Sequence, residues 1–151
     1  MRIFANLDEL AAATGQVLGQ GEWLTVTQQM IDRFAEATGD FQYIHVDPER
    51  AAKGPFGAPV AHGFLTLSLI PRLANSVYKV EGIATGINYG SNRVRFIEPV
   101  HVNRRIRAQT KLLAVEPSPR GTRITSEATV EIEGSGRPAC IAELIVLMIP
   151  A

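Results

Sequence analysis

Two short stretches of the chain contain the residue types that acid–base chemistry uses. In the first, Asp40 precedes His45 by five positions, between two segments with helical patterns. At a turn between helices an acid and an imidazole can converge on one point, and this pair commonly moves protons near neutral pH. The same spacing also fits a local turn at Asp40 and a hydrogen-bonded, buried His45. Both interpretations remain open at this stage.

The second stretch is Ala61-His62-Gly63, which lies at the start of a long apolar segment. A helix N-terminus presents unpaired N–H groups and the positive end of the helix dipole. Because Gly63 has no side chain, its amide is accessible to a carbonyl oxygen that gains negative charge during a reaction. The alternative is an ordinary helix start at which His62 acts as a polar cap.

Helices are predicted on both sides of the first stretch. Each has a capping residue at its start, and the first two also have a glycine at their end. The predictions are a helix over residues 6–14 between Asn6 and Gly15, a helix over residues 28–38 between Thr27 and Gly39, and a helix that begins at Asp47-Pro48. Residues 61–78 are apolar on nearly every side, which predicts one long buried helix with a kink or break at Pro71.

From residue 83 onward the apolar residues recur with a period of two, which predicts about four antiparallel strands. One hairpin register places Arg105, Arg107 and Lys111 opposite Glu133, Glu131 and Glu127. A change of parity at Gly90-Ser91 predicts a bulge. The strand over residues 139–149 is apolar on both faces, so we expect it to be covered on both sides or to pack against a second subunit.

These elements predict an α+β fold in which an antiparallel sheet wraps around a central buried helix. The length of 151 residues fits a single domain over residues 1–151. Equal numbers of basic and acidic residues, 15 of each, argue against nucleic acid as a partner. No apolar run is long enough to cross a membrane. The single cysteine, Cys140, excludes an internal disulfide, and we expect a cytoplasmic protein.

The two stretches together resemble the MaoC-like hydratases, the (R)-specific 2-enoyl-CoA hydratases of the hot-dog fold. The resemblance rests on Gly39-Asp40-x(4)-His45 before Asp47-Pro48, on Ala61-His62-Gly63 and on residues 92–100. The family signature is Asp-x-Asn-Pro-[aliphatic]-His. This chain keeps the acid, the aliphatic residue and the histidine, but has Gln42 in place of Asn and Tyr43 in place of Pro. These two substitutions resemble the nodulation protein N-like branch of the family.

The resemblance implies reversible syn hydration of a trans-2-enoyl-CoA to an (R)-3-hydroxyacyl-CoA. Asp40 and His45 are then the catalytic acid–base pair, in either order, and the amide of Gly63 binds the thioester oxygen. Three further residues, Gln42, Tyr43 and His62, are predicted to contact the substrate. The resemblance implies no metal and no cofactor apart from coenzyme A as part of the substrate, and it implies a homodimer.

Two other functions fit the same fold. An acyl-CoA thioesterase uses a carboxylate to activate water beside a helix N-terminus, and it releases a free thiol. A non-catalytic module that binds acyl-CoA or an acyl-carrier protein is favoured by the departures at Gln42 and Tyr43, and it shows binding without turnover.

Overall fold

A computed structural model describes all residues from 1 to 151. They form a six-stranded antiparallel sheet, several short helices and a separate pair of parallel strands. The strands are β1 (Arg2–Phe4), β2 (Val17–Gln20), β3 (Leu24–Thr25), β4 (Tyr78–Val80), β5 (Ile83–Phe96), β6 (Arg105–Ser118), β7 (Gly121–Ile132) and β8 (Cys140–Pro150). The helices are α1 (Leu7–Ala12), α2 (Gln28–Thr38), α3 (Tyr43–Val46), α4 (Pro48–Ala52), α5 (Gly63–Ser68) and α6 (Ile70–Ala74).

The large sheet has the strand order β2-β6-β7-β8-β5, and β3 also pairs with β6. The predicted hairpin of β6 and β7 is confirmed, since Arg107 lies opposite Glu131 and Lys111 opposite Glu127. At the end of the hairpin, Arg105 Nη1 lies 2.9 Å from Glu133 Oε1. The four strands predicted from residue 83 onward are confirmed as β5, β6, β7 and β8. The very short β2 and β3 extend the sheet beyond β6.

Strand β5 forms one edge of the large sheet, because it pairs only with β8. Register shifts on both sides of Gly90-Ser91 confirm the predicted bulge. Strand β8 lies between β7 and β5 in the sheet, and most of its residues are only partly buried in the single chain. In contrast, the ten consecutive residues 84–93 of β5 are exposed in the single chain. This edge therefore has unpaired backbone groups that a further strand can bind.

The helix caps that position the first stretch lie where the sequence predicts them. Thr27 accepts a hydrogen bond from the amide of Met30, and Gly39 ends α2 with a left-handed φ of 76°. Asp47 caps α4 by accepting from the amide of Arg50, and Pro48 is the first residue of that helix. A residue with positive φ turns the chain sharply away from the helix axis, and glycine adopts this conformation without strain. The chain therefore turns directly before Asp40.

The predicted long helix over residues 61–78 is instead two short helices, α5 and α6, that meet at Leu69. A break was expected at Pro71, and Pro71 lies in the first turn of α6, where its missing N–H leaves no hydrogen bond unmade. The expectation that this segment is buried on every side is wrong for the single chain, because the side chain of Phe64 is 66% exposed. The sheet covers only one side of α5.

Two apolar clusters fill the space between the helices and the sheet. The larger includes Leu65 and Leu69 from the central helical segment and Val130 from the sheet. The smaller, around Phe4 and Leu112, joins the N-terminal strand and helix to the other end of the sheet. No helix is both long enough and apolar enough to cross a membrane. The first stretch lies beside the larger cluster, through α2 and α3.

Candidate active site

Asp40 follows the glycine that ends α2, and its carboxylate remains exposed to solvent. Its Oδ1 accepts a hydrogen bond from the amide of Gln42 at 3.3 Å, which closes a short side-chain turn. The single helical turn α3 follows directly and carries His45. The sharp bend after α2 and this one turn of helix bring the two side chains back towards each other.

His45 is buried, and its orientation is fixed at the ring and at the backbone. Its Nδ1 lies 2.6 Å from the carbonyl oxygen of Val60. Because a carbonyl oxygen only accepts, Nδ1 donates, and Nε2 of the neutral ring carries the free lone pair. The backbone carbonyl of His45 accepts from Gln28 Nε2 at 2.7 Å. Burial lowers the pKa of His45 from 6.5, whereas the bond to Val60 acts in the opposite direction. The ring is therefore neutral near pH 7 and able to accept a proton.

His62 is buried as well, and it contacts both members of the pair. Its ring stacks on the ring of His45 with 3.8 Å between centroids and 24° between planes. Its Nε2 lies 3.0 Å from the backbone carbonyl oxygen of Asp40. It makes no side-chain cap on α5, although it occupies the N-cap position. One side-chain ligand atom from each of Asp40, His45 and His62 lies within 4.8 Å of the other two.

Such a set of one acid and two imidazoles has the composition of a metal site. The two rings are nearly parallel, so their in-plane lone pairs lie in neighbouring planes instead of converging on one point. A zinc ion requires about 2.1 Å to each nitrogen along the lone-pair direction, which this stacking does not provide. The arrangement fits a shared water molecule better than a shared ion.

A cavity of about 300 Å³ opens beside His45 and is lined mainly by apolar side chains. Its polar lining includes His45, the backbone of Gly63 and the buried Thr66. The remaining lining residues are Ile44, Phe56, Val60, Ala61, Phe96, Ile97, Glu98, Pro99, Val100 and Ala139. As the first residue of α5, Gly63 has an amide without a backbone partner. The cavity therefore combines an apolar surface with a free N–H donor close to an imidazole.

Gln42 and Tyr43 do not line this cavity. The ring of Tyr43 lies under the guanidinium of Arg50, and the ring centroid is 4.1 Å from Arg50 Cζ. The same ring packs against Gly54, which follows α4. Gln42 precedes α3 and contributes the amide that binds Asp40. Both residues belong to the loop that carries Asp40. They were predicted to contact the substrate, but neither lies in the wall of this cavity. His62 likewise lies behind His45 and away from the cavity.

Sequence reasoning did not identify two residues that contribute to the site. Gln28 donates to the carbonyl of His45 and, at 2.9 Å, to Asp32 Oδ1, so it connects the start of α2 to α3. Thr66 lies one helical turn after Gly63 and faces the cavity. The signal for Thr66 was its polar side chain inside an apolar run. Nothing in the sequence distinguishes Gln28 from an exposed helix residue, because its partner is a backbone carbonyl seventeen positions away.

The chain is similar to known proteins over most of its length. Residues 9–134 match the family model described as MaoC like domain. A protein of Mycobacterium tuberculosis (strain CDC 1551 / Oshkosh) named 3-hydroxyacyl-thioester dehydratase Z is 54% identical over 147 residues, which cover 97% of each chain. Nodulation protein N of Rhizobium leguminosarum bv. viciae is 44% identical over 146 residues, which cover 95% of this chain and 91% of the relative.

Among solved structures, an (R)-hydratase from A. caviae involved in PHA biosynthesis superimposes with a TM-score of 0.70 at 26% identity. The match covers 89% of this chain and 97% of that chain. It confirms the predicted arrangement of an antiparallel sheet around a helical segment. On the family match and these identities, the chain belongs to the MaoC-like dehydratase family and has its hot-dog fold.

Proposed function

We propose that this protein catalyses the reversible syn addition of water to a trans-2-enoyl thioester, giving an (R)-3-hydroxyacyl thioester, with coenzyme A as the thiol. The observation that carries the proposal is the approach of Asp40 and His45 to each other beside an apolar cavity that also presents the Gly63 amide. The names of the relatives, a 3-hydroxyacyl-thioester dehydratase and an (R)-hydratase, support the same reaction class.

The hydration step needs one water held between the acid and the imidazole. His45 has a neutral ring whose Nε2 lone pair is free, and this favours it as the base. As Nε2 takes a proton from the water, the hydroxyl oxygen bonds to C3 and the electrons of the double bond move towards the thioester oxygen. The proton that His45 took from the water then passes to Asp40, and Asp40 delivers it to C2 of the enolate, where the new C–H bond forms. Both side chains return to their starting states, and one water has been added.

The negative charge that develops on the thioester oxygen needs a donor at the moment of reaction. The Gly63 amide lies in the cavity wall without a backbone partner and suits this role. One such donor typically contributes about 10²–10³-fold in rate, and a positioned acid–base pair about 10²–10⁴-fold. No step in this scheme requires a metal or a redox cofactor. Coenzyme A enters only as part of the substrate.

We further propose that the active form is a homodimer joined along β5. This strand pairs on one side only, and the exposed residues 84–93 include the large apolar side chains of Ile87 and Tyr89. Phe64, beside Gly63, is 66% exposed and packs edge-on against Phe96 of β5. Light scattering after size exclusion is expected to give twice the mass of one chain. An Ile87→Lys variant is expected to shift the mass towards the monomer, since an inward charge disfavours edge pairing.

The decisive experiment measures hydration of crotonyl-CoA by the purified protein and by an Asp40→Asn variant. We expect loss of at least 10² in kcat/KM for Asp40→Asn, following the usual size of an acid–base contribution of about 10²–10⁴. The matched control is Asp47→Asn, the same substitution seven positions later. Asp47 caps α4, and asparagine caps equally well, so this control keeps both fold and rate.

Equal rates for the wild type and Asp40→Asn would contradict the assignment of the acid. Release of free thiol without a change in the double bond would identify a thioesterase. Saturable binding of acyl-CoA without turnover would identify a binding module. Replacing the coenzyme A thioester by a carrier-protein thioester of the same acyl group, with rates compared at equal concentration, tests the choice of carrier.

A further inference from the structure

His62 differs from the other residues of the site because it contacts the ring of His45 and the backbone carbonyl of Asp40 yet does not line the cavity. It is only 3% exposed, and the cavity wall is formed by Ala61 and Gly63 on either side of it. Its side chain does not line the cavity beside His45. Its role in the reaction must therefore act through its neighbours.

Those neighbours enclose the ring from several directions. One face stacks on His45 at 3.8 Å between centroids, and Phe34 of α2 lies 4.9 Å away at an angle of 54°. Nε2 donates to the carbonyl of Asp40 at 3.0 Å. The backbone of Asp40 and the ring of His45 are thereby connected through a single rigid side chain. Without it, the Asp40 loop has only short local bonds, such as the one from the amide of Gln42.

The tautomer of His62 follows from its hydrogen bond. Because Nε2 donates to a carbonyl, the neutral ring has its lone pair on Nδ1, and this atom is buried without any hydrogen-bond partner. The flat face of this ring packs against the ring of His45 and limits the orientations open to it.

We infer that His62 is a positioning residue, which holds the Asp40 loop and the His45 ring in the relative geometry that the hydration step needs. The inference rests on the proposed function for its catalytic readout. The structural part, control of the His45 ring by His62, stands independently of turnover.

Three substitutions separate the two contacts. His62→Gln keeps an amide donor within reach of the Asp40 carbonyl and loses the stacked ring. His62→Phe keeps a stacked ring and loses the donor, and His62→Ala loses both. The control is Phe34→Leu, which changes the packing around the same imidazole without touching Asp40 or His45.

We expect His62→Ala to lower kcat by about 10²-fold with KM within about threefold, because a displacement of about 1 Å in a catalytic group has effects of this size. Gln and Phe are each expected to recover part of the loss, and Phe34→Leu to keep kcat. A rise in KM at constant kcat would instead make His62 a substrate contact. A fall in thermal stability with normal kcat would leave it a core residue only. Either result overturns the inference.

A second measurement does not depend on turnover. The NMR signals of the labelled His45 ring report whether the ring has one orientation or several. The wild type is expected to show one sharp set of ring signals, and His62→Ala broadened or doubled signals, because the ring loses the side chain that stacks on it. If the wild type fails to hydrate enoyl thioesters, the proposed function fails, and this spectrum still decides the inference: a single sharp set of His45 ring signals in His62→Ala refutes it. His62→Gln, which also loses the stacked ring, serves the same purpose if the alanine variant does not fold.

Discussion

Replacing Gly63 by alanine tests whether the amide at the start of α5 takes part in the reaction. A Cβ atom on this residue would lie 3.0 Å from Cδ2 of Phe96, 3.1 Å from Cγ and 3.2 Å from Cδ1. Carbon atoms in contact normally lie about 3.5–4.0 Å apart. Either the Phe96 ring or the Gly63 backbone must therefore shift by about half an ångström. The added methyl group also occupies the part of the cavity next to the amide.

The structure predicts that Gly63→Ala has a small effect on the free energy of unfolding and a large effect on the rate. Overpacking costs about 1–3 kcal/mol, and the 45% exposure of Phe96 allows the ring to move, which places the cost near the low end. Alanine in a helix regains about 0.5–1 kcal/mol relative to glycine. The free energy of unfolding should change by less than about 1 kcal/mol. The alanine variant keeps the N–H, but a methyl group that displaces the thioester oxygen from it has the effect of losing an oxyanion donor, which lowers kcat by about 10²–10³-fold.

The assay pairs crotonyl-CoA hydration with urea unfolding for Gly63→Ala and for a control, Gly136→Ala. An added Cβ at Gly136 meets no atom within 4 Å, and this glycine does not line the cavity. The control should match the wild type in both measurements. A folded Gly63→Ala variant with kcat/KM within about threefold of the wild type, well short of the loss expected for an oxyanion donor, would refute the assignment of this amide.

Three further outcomes are expected. Because burial lowers the pKa of His45 in the folded state, the unfolding free energy should fall as the pH decreases through 6.5, and this dependence should flatten in His45→Gln, as measured by urea unfolding at several pH values. Tyr43→Pro, which restores the family signature, should fold, since Gln42 already has the extended ψ of 135° that a following proline requires. Loss of the stack between Tyr43 and Arg50 should lower the free energy of unfolding in urea by about 0.5–1 kcal/mol. The kcat/KM of this variant should stay within about tenfold of the wild type. Leu112→Ala, in the smaller cluster, should cost about 2–5 kcal/mol in urea unfolding and leave kcat/KM of the folded enzyme unchanged.

The local elements were predictable because their determinants lie close together in the sequence. Thr27, Gly39 and Asp47 cap or end helices through bonds to residues at most four positions away. The hairpin of β6 and β7 was predictable for a similar reason, since opposite charges and apolar residues agree on one register. The division of residues 61–78 into two helices was not predictable, because an apolar run does not reveal where its backbone hydrogen bonds stop. Two short helices bury the same residues as one long helix.

The candidate pair was predictable from spacing and family resemblance, whereas its supports were not. Asp40 and His45 come from one bend, so their proximity follows from local geometry. Val60 lies fifteen positions after His45 and binds its ring through a backbone carbonyl. His62 lies twenty-two positions after Asp40 and binds its backbone carbonyl through a ring nitrogen. A backbone carbonyl looks the same at every position of a sequence, so no residue pattern indicates which one a histidine will contact.

The sequence by itself determined the family, the helix caps, the hairpin register and the choice of Asp40 and His45 as the candidate pair. Only the tertiary structure decided which ring nitrogen of His45 is free, that His62 stacks behind it, and that Gly63 rather than Gln42 or Tyr43 faces the cavity. The reason is physical. Caps and strand pairing depend on side-chain type and spacing along the chain, but the tautomer and accessibility of a buried group depend on distant backbone atoms that packing brings within hydrogen-bond distance.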